Sequence, residues 1–143
     1  MEKKKVIGYT QGVFDMFHIG HLNLLNNAKA RCDYLIVGVN SDGLVQSYKN
    51  KTPVVDEQTR KTIVENIKAV DQAYVVDTLD KVEIRKKIPF DVIYIGDDWK
   101  GSPRWSETQK RLKEYGVEVV FLPYTQNISS TILRVQKDEK VEE

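Results

Sequence analysis

Five short runs of apolar and β-branched residues recur along the chain, at Val6 to Gly12, Tyr34 to Asn40, Ala73 to Asp77, Asp91 to Asp97 and Val117 to Pro123. Runs such as YLIVGVN and DVIYIG are apolar without alternation, the pattern of strands covered on both faces. Between them the apolar residues take helical spacing: Leu22, Leu25 and Ala28; Ile63, Val64, Ile67 and Val70; a shorter segment from Asp80 to Ile88; and Trp105, Leu112 and Tyr115. Strand and helix alternating in this way predict right-handed crossovers between parallel strands, so the fold class is α/β, an open doubly wound sheet with five parallel strands. Asp56 is placed to cap the helix that follows it, Gly116 to close the helix before the last strand, and Ser129 or Ser130 to cap a terminal helix. No repeat, low-complexity stretch or second unit is visible, and the reading is one domain over 1–143, with a core from about 5 to 134 and a frayed KDEKVEE tail.

In such a sheet, ligands bind beyond the carboxyl ends of the strands, where the strand order reverses. Four segments fall there: TQGVFDMFHIGH, NKTPV, GDDWKG and PYTQNISST. The first holds both histidines of the chain, His18 and His21, on either side of Gly20. Asn, Leu and Ala after Gly20 favour a helix starting near Ile19, which puts His18 in the preceding turn and His21 in the first helical turn. Unpaired amide N–H groups and the positive end of the helix dipole make this an anion site, and Gly20 lets a phosphate approach the backbone. Spacing alone equally allows one histidine to cap and the other to pack, whereas a zinc pair lacks the further ligands such a site needs. Arg60 shares a flank with Ile63, Val64 and Ile67, and an arginine on an apolar flank needs an anionic partner. Lys68 lies eight residues on, ~12 Å along the same helix, where a lysine stabilises the helix C-terminus.

GVFDMFHIGH matches the GxFDxxHxGH signature of the nucleotidylyltransferase superfamily, with Phe14, Asp15, His18, Gly20 and His21 in place. GDDWKG and the ISST segment resemble the glycerol-3-phosphate cytidylyltransferases, and with KNKTPV and the Arg60 helix the similarity runs from about Val6 to Arg134. The resemblance implies a Rossmann-like domain and an enzyme in which a phosphate monoester attacks the α-phosphorus of a nucleoside triphosphate in line and expels pyrophosphate. An ionised phosphate needs no general base. The barrier is mainly negative charge meeting negative charge, so the site should offer donors and cations rather than nucleophiles.

The same resemblance assigns roles. His18 and His21 hydrogen-bond the triphosphate, Lys49 and Lys51 fold over it from a short irregular segment, and Arg60 completes the catalytic set. Thr10, Gln11, Gly12, Phe14, Asp15 and Gly20 form the nucleotide-binding turn, with Asp15 orienting a histidine or a magnesium-bound water. Asp98 accepts a hydrogen bond from the exocyclic amine of cytosine, which uracil lacks; Asp97 is read as structural, and Trp99 and Lys68 shape the acceptor pocket. Thr125, Ser129, Ser130 and Thr131 offer hydroxyls and amides to the outer phosphates, where simple N-capping is the alternative. The chain departs from the family at Tyr124, where an arginine is expected, and at Asn127, where a glycine is expected. Tyr124 keeps a stacking surface but no cation, and Asn tolerates a left-handed backbone.

Charge and composition narrow the partners. Lys and Arg total 22 against 21 Asp and Glu, so net charge gives no reason to expect nucleic acid or an anionic membrane. The N-terminal apolar stretch is short and lacks a small-residue cleavage site, which reads as cytoplasmic with no membrane insertion. A single cysteine, Cys32, excludes an internal disulfide and reads as core filler. The expected substrates are CTP, with Mg²⁺ bridging its triphosphate, and a small phosphorylated alcohol, glycerol phosphate first; no metal is assigned to protein ligands, and the resemblance implies a homodimer. The product, CDP-glycerol, would feed a teichoic-acid or capsule-like polymer. The alternatives are an adenylyltransferase of the same fold, of FAD synthetase or heptose-phosphate type, a phosphoethanolamine or phosphocholine cytidylyltransferase, or a nucleotide sensor without catalysis.

Overall fold

The computed structural model describes residues 5–96 and 103–123. Within them, β1 (Ile7–Gly12), β2 (Tyr34–Asn40), β3 (Gln72–Val76), β4 (Val92–Gly96) and β5 (Glu118–Leu122) form one sheet in the order β3-β2-β1-β4-β5. Every pairing is parallel. The chain builds outward from β1 through β2 to β3, then returns to the other side of β1 through β4. The order therefore reverses between β1 and β4, and a crevice opens beyond their carboxyl ends.

Five helices connect these strands: α1 (Ile19–Lys29), α2 (Asp42–Lys49), α3 (Glu57–Glu65), α4 (Lys81–Lys87) and α5 (Pro103–Lys113). On one face Leu25 and Ala28 of α1 and Val64 of α3 pack with Leu35, Val37, Val39 and Tyr94. On the other, Val82 and Ile84 of α4 and Leu112 of α5 pack with Tyr9, Ile36, Ile93 and Val119. Burial of β2 from Leu35 to Asn40 accounts for its unbroken apolar sequence.

α2 does not stand out in the apolar pattern because it buries only Val45. Its ends define it instead. The Ser41 side chain accepts from the Leu44 amide, and Asn50 stops the helix at φ 54°, in the left-handed region that Asn tolerates. Asp56 caps α3 by accepting from the Thr59 amide, and Gly116, at φ 76°, follows α5, as their positions predict. α3 is shorter than its apolar spacing implies, however. It ends at Glu65, so Lys68 is not on the helix but in the turn before β3. Close by, the Asp71 amide donates to the Leu35 carbonyl at the start of β2, which puts Lys68 at the amino end of the sheet. A helix joining two parallel strands must run back along the sheet, and it carries this lysine away from the crevice.

A close approach fixes the packing between β1 and β2. The Tyr9 ring stacks on Phe90 with centroids 4.8 Å apart, and its hydroxyl donates to Gln11 Oε1 at 2.7 Å. That hydroxyl lies over Gly38, where a Cβ would overlap it. Gly38→Ala is expected to lower stability by about 1–3 kcal/mol, read as a fall in Tm. Tyr9→Phe in the same chain should recover part of the loss, and an unchanged Tm in the single variant would contradict this packing.

Candidate active site at the start of the first helix

Beyond Gly12 the chain turns through residues 13–18 before α1 begins at Ile19. His18 is the N-cap, and its Nδ1 accepts from the Gly20 amide at 3.1 Å. His21 Nδ1 in turn accepts from the His18 amide at 3.2 Å. This is a reciprocal capping box in which two imidazoles replace the usual hydroxyl and carboxylate. A nitrogen that accepts carries no proton, so each neutral ring holds its hydrogen on Nε2. The rings stack with centroids 3.8 Å apart, and Phe14 and Phe17 border His21 at 5.4 and 5.3 Å.

Burial lowers the pKa of His18 below the usual histidine value. For His21, burial and then the neighbouring His18 push it down to about 4, partly opposed by the Asp15 carboxylate. Both rings are therefore neutral near neutral pH and act as uncharged donors. The His18 Nε2 is shielded from solvent and has no hydrogen-bond partner among the described residues. A buried donor left unmet costs about 1–3 kcal/mol, which an incoming oxygen acceptor relieves.

Asp15 sits between two residues in the left-handed region, Phe14 at φ 55° and Met16 at φ 50°. Its buried carboxylate accepts from the Val54 amide at 2.8 Å and from the Val55 amide at 2.9 Å, one on each oxygen. These bonds fasten the segment after Lys49 and Lys51 to the histidine turn. Arg60 is also fully buried. Its Nε donates to the Val55 carbonyl at 2.7 Å, Nη1 to the carbonyls of Val13 at 2.8 Å and Asn40 at 2.7 Å, and Nη2 to Asp42 Oδ1 at 2.6 Å. The anionic partner that its apolar flank demands is thus Asp42, and the guanidinium ties three segments together instead of opening onto the crevice. Lys49 is the last residue of α2 rather than part of a loop; irregular chain begins after it. Both Lys49 and Lys51 are exposed.

Other expected site residues have partners within the protein. Thr10 is buried, and its hydroxyl donates to the Tyr94 carbonyl at 2.9 Å, linking β1 to β4. Gln11 donates to Asn40 Oδ1 at 2.8 Å and to the Thr78 carbonyl at 3.0 Å, bracing the carboxyl ends of β1, β2 and β3. Gly12 admits Phe14, whose ring would lie 3.2 Å from a Cβ there. Asn40, Asp42 and the Val54 and Val55 amides, which organise the site, carry no local sequence signal, because their bonds to Gln11, Arg60 and Asp15 span 18 or more residues. Asp97, Asp98, Trp99, Tyr124, Thr125, Asn127, Ser129, Ser130 and Thr131 lie outside the described residues. Among the described residues no group of three or more His, Cys, Asp and Glu could hold a metal ion, and no helix is long and apolar enough to cross a membrane.

Comparison with known proteins identifies the family of the chain. Residues 9–136 match the family described as Cytidylyltransferase-like. The chain belongs to the cytidylyltransferase-like family. It is 40% identical over 136 residues to a glycerol-3-phosphate cytidylyltransferase of Bacillus spizizenii, covering 94% of this chain and 96% of that one. It is 34% identical over 127 residues to an FAD synthase of Thermococcus onnurineus, covering 86% and 83%. The crystal structure of a lipopolysaccharide core biosynthesis protein from Thermoplasma volcanium superposes with a TM-score of 0.73 at 26% identity, over 87% of this chain and all of that one. This cytidylyltransferase-like protein is accordingly a nucleotidyltransferase of Rossmann-type fold.

The depressed pKa of His21 links the site to stability. Unfolded, the ring titrates near 6.5; folded, near 4. Between these values the unfolded chain holds the proton and the folded chain does not. The contribution is therefore complete above pH 6.5 and is lost as pH falls towards 4. Urea midpoints measured across this range should fall more steeply for the parent chain than for His21→Gln. Parallel curves would show that the folded environment does not depress this histidine.

Proposed function

We propose that this cytidylyltransferase-like enzyme transfers the cytidylyl group of CTP to a small phosphorylated alcohol, glycerol phosphate first, releasing pyrophosphate. The observation that carries the reading is the pair of uncharged Nε2–H donors locked at the start of α1, one of them buried and without a partner among the described residues. An oxygen of the acceptor phosphate attacks the α-phosphorus. A new P–O bond forms, the bond to the bridging oxygen breaks, and the electron pair leaves with pyrophosphate.

The imidazole donors, at the positive end of the α1 dipole, stabilise charge on the α-phosphate and its bridging oxygen without giving up a proton. Neutral donors suit this task because no general base is needed and nothing has to be deprotonated first. Lys49 and Lys51 supply the positive charge, approaching the outer phosphates from the end of α2 and the segment that follows it. Magnesium would accompany CTP as the counter-ion of its triphosphate. The product is an activated alcohol phosphate, a suitable donor for synthesis of a cell-surface polymer, and the enzyme works as a homodimer.

One second reading has specific support: the similarity to an FAD synthase admits transfer of an adenylyl group instead. Incubation with CTP or ATP, each with glycerol phosphate or flavin mononucleotide, separates the two. We expect pyrophosphate and CDP-glycerol from CTP with glycerol phosphate alone. FAD from ATP and flavin mononucleotide would establish the second reading, and no turnover with any pair would overturn both. His18→Ala and His21→Ala should each lower kcat by about 10²–10³-fold, the usual effect of losing one preorganised donor.

A further inference from the structure

We infer that Asp15 is a positioning residue: by binding the Val54 and Val55 amides it sets where Lys49 and Lys51 stand relative to the two histidines. The inference rests on the proposed phosphate role of those lysines. Segment 42–55 leaves β2 and comes back to the site, and it is fastened at both ends. At the near end Arg60 grips the Asn40 carbonyl and the Asp42 carboxylate. At the far end Asp15 accepts both valine amides, while Arg60 Nε takes the Val55 carbonyl. The guanidinium also holds the Val13 carbonyl, so the histidine turn, the end of β2 and the lysine segment meet at one buried cation. Between the two fastenings, Lys49 and Lys51 are exposed.

The backbone around Asp15 supports this role. Neither Phe14 nor Met16 is a glycine, yet both have φ near 50–55°. Left-handed geometry is strained for a non-glycine residue, and it persists only where surrounding contacts enforce it. Two such residues, one on each side of a buried carboxylate, aim that carboxylate at the 54–55 backbone. An amide in its place would present an NH₂ group to one of the two backbone N–H donors, so Asp15→Asn should release one of the bonds while keeping the side chain's size.

The test is a double-mutant cycle in kcat/KM with CTP and glycerol phosphate, using Asp15→Asn, Lys49→Ala with Lys51→Ala, and the combination of all three. Asp15→Asn alone should lose about 10²-fold, the scale expected from misplacing a catalytic group by an ångström. In the background without the lysines it should cost less than about 3-fold further, because its effect passes through them. A full additional 10²-fold loss in that background would overturn the inference while leaving the lysine role intact. Undiminished activity in the lysine variant would overturn the lysine role and the inference with it. If Asp15→Asn does not fold, Val54→Pro removes one of the two amide donors and leaves the carboxylate in place; it should show the same non-additivity, and additivity there counts against the inference.

Discussion

Two backbone N–H groups donating into imidazole nitrogens determine the chemistry of this site. The Gly20 amide into His18 Nδ1 and the His18 amide into His21 Nδ1 cap α1 and choose the tautomer of both rings in one arrangement. Without them each ring could present either a donor or an acceptor to the crevice. With them each Nε2 carries a hydrogen, and burial keeps the rings neutral. The histidines consume amides at the start of α1 and return their own Nε2–H groups in exchange, placed at the positive end of the helix dipole.

Much of the remaining structure serves to place that turn. β1 lies at the centre of the sheet, and the strand order reverses beside it, so its carboxyl end opens onto a crevice. Buried polar contacts hold the crevice rim: Thr10 to β4, Gln11 to the ends of β2 and β3, and Arg60 to three segments at once. Arg60 can be buried because its charge meets Asp42 and its other donors meet carbonyls; removing a single partner would leave an uncompensated charge in the interior. The cost of dehydrating a guanidinium is offset by a fixed connection between the histidine turn and the lysine segment.

The parts legible in the sequence are those set by local physics. Unbroken apolar runs mark strands covered on both faces, and β2 is buried as that pattern requires. Asn, Leu and Ala after Gly20 place the start of α1 at Ile19, where it is found. Asp56 and Gly116 bound their helices as their chemistry suggests. What escaped the reading depends on distant partners or on ends rather than faces. α2 is held by its caps and buries one side chain, so its apolar spacing is nearly silent. The need of Arg60 for an anion is visible on its helix, but Asp42 lies on another element, and the superfamily pattern points to substrate instead. The resemblance gives Lys68 its acceptor role and the apolar spacing its place on α3; Ile67 and Val70 continue that spacing, yet they belong to the turn and the strand approach that pack under the sheet.

The most direct test of the central claim is a long-range ¹H–¹⁵N spectrum of the histidine side chains near neutral pH, recorded with and without CTP. The account predicts two neutral rings in the free protein, each with hydrogen on Nε2, and displacement of both Nε2 resonances when CTP binds. Hydrogen on Nδ1, a protonated ring in the free protein, or CTP binding that moves neither Nε2 resonance would contradict it.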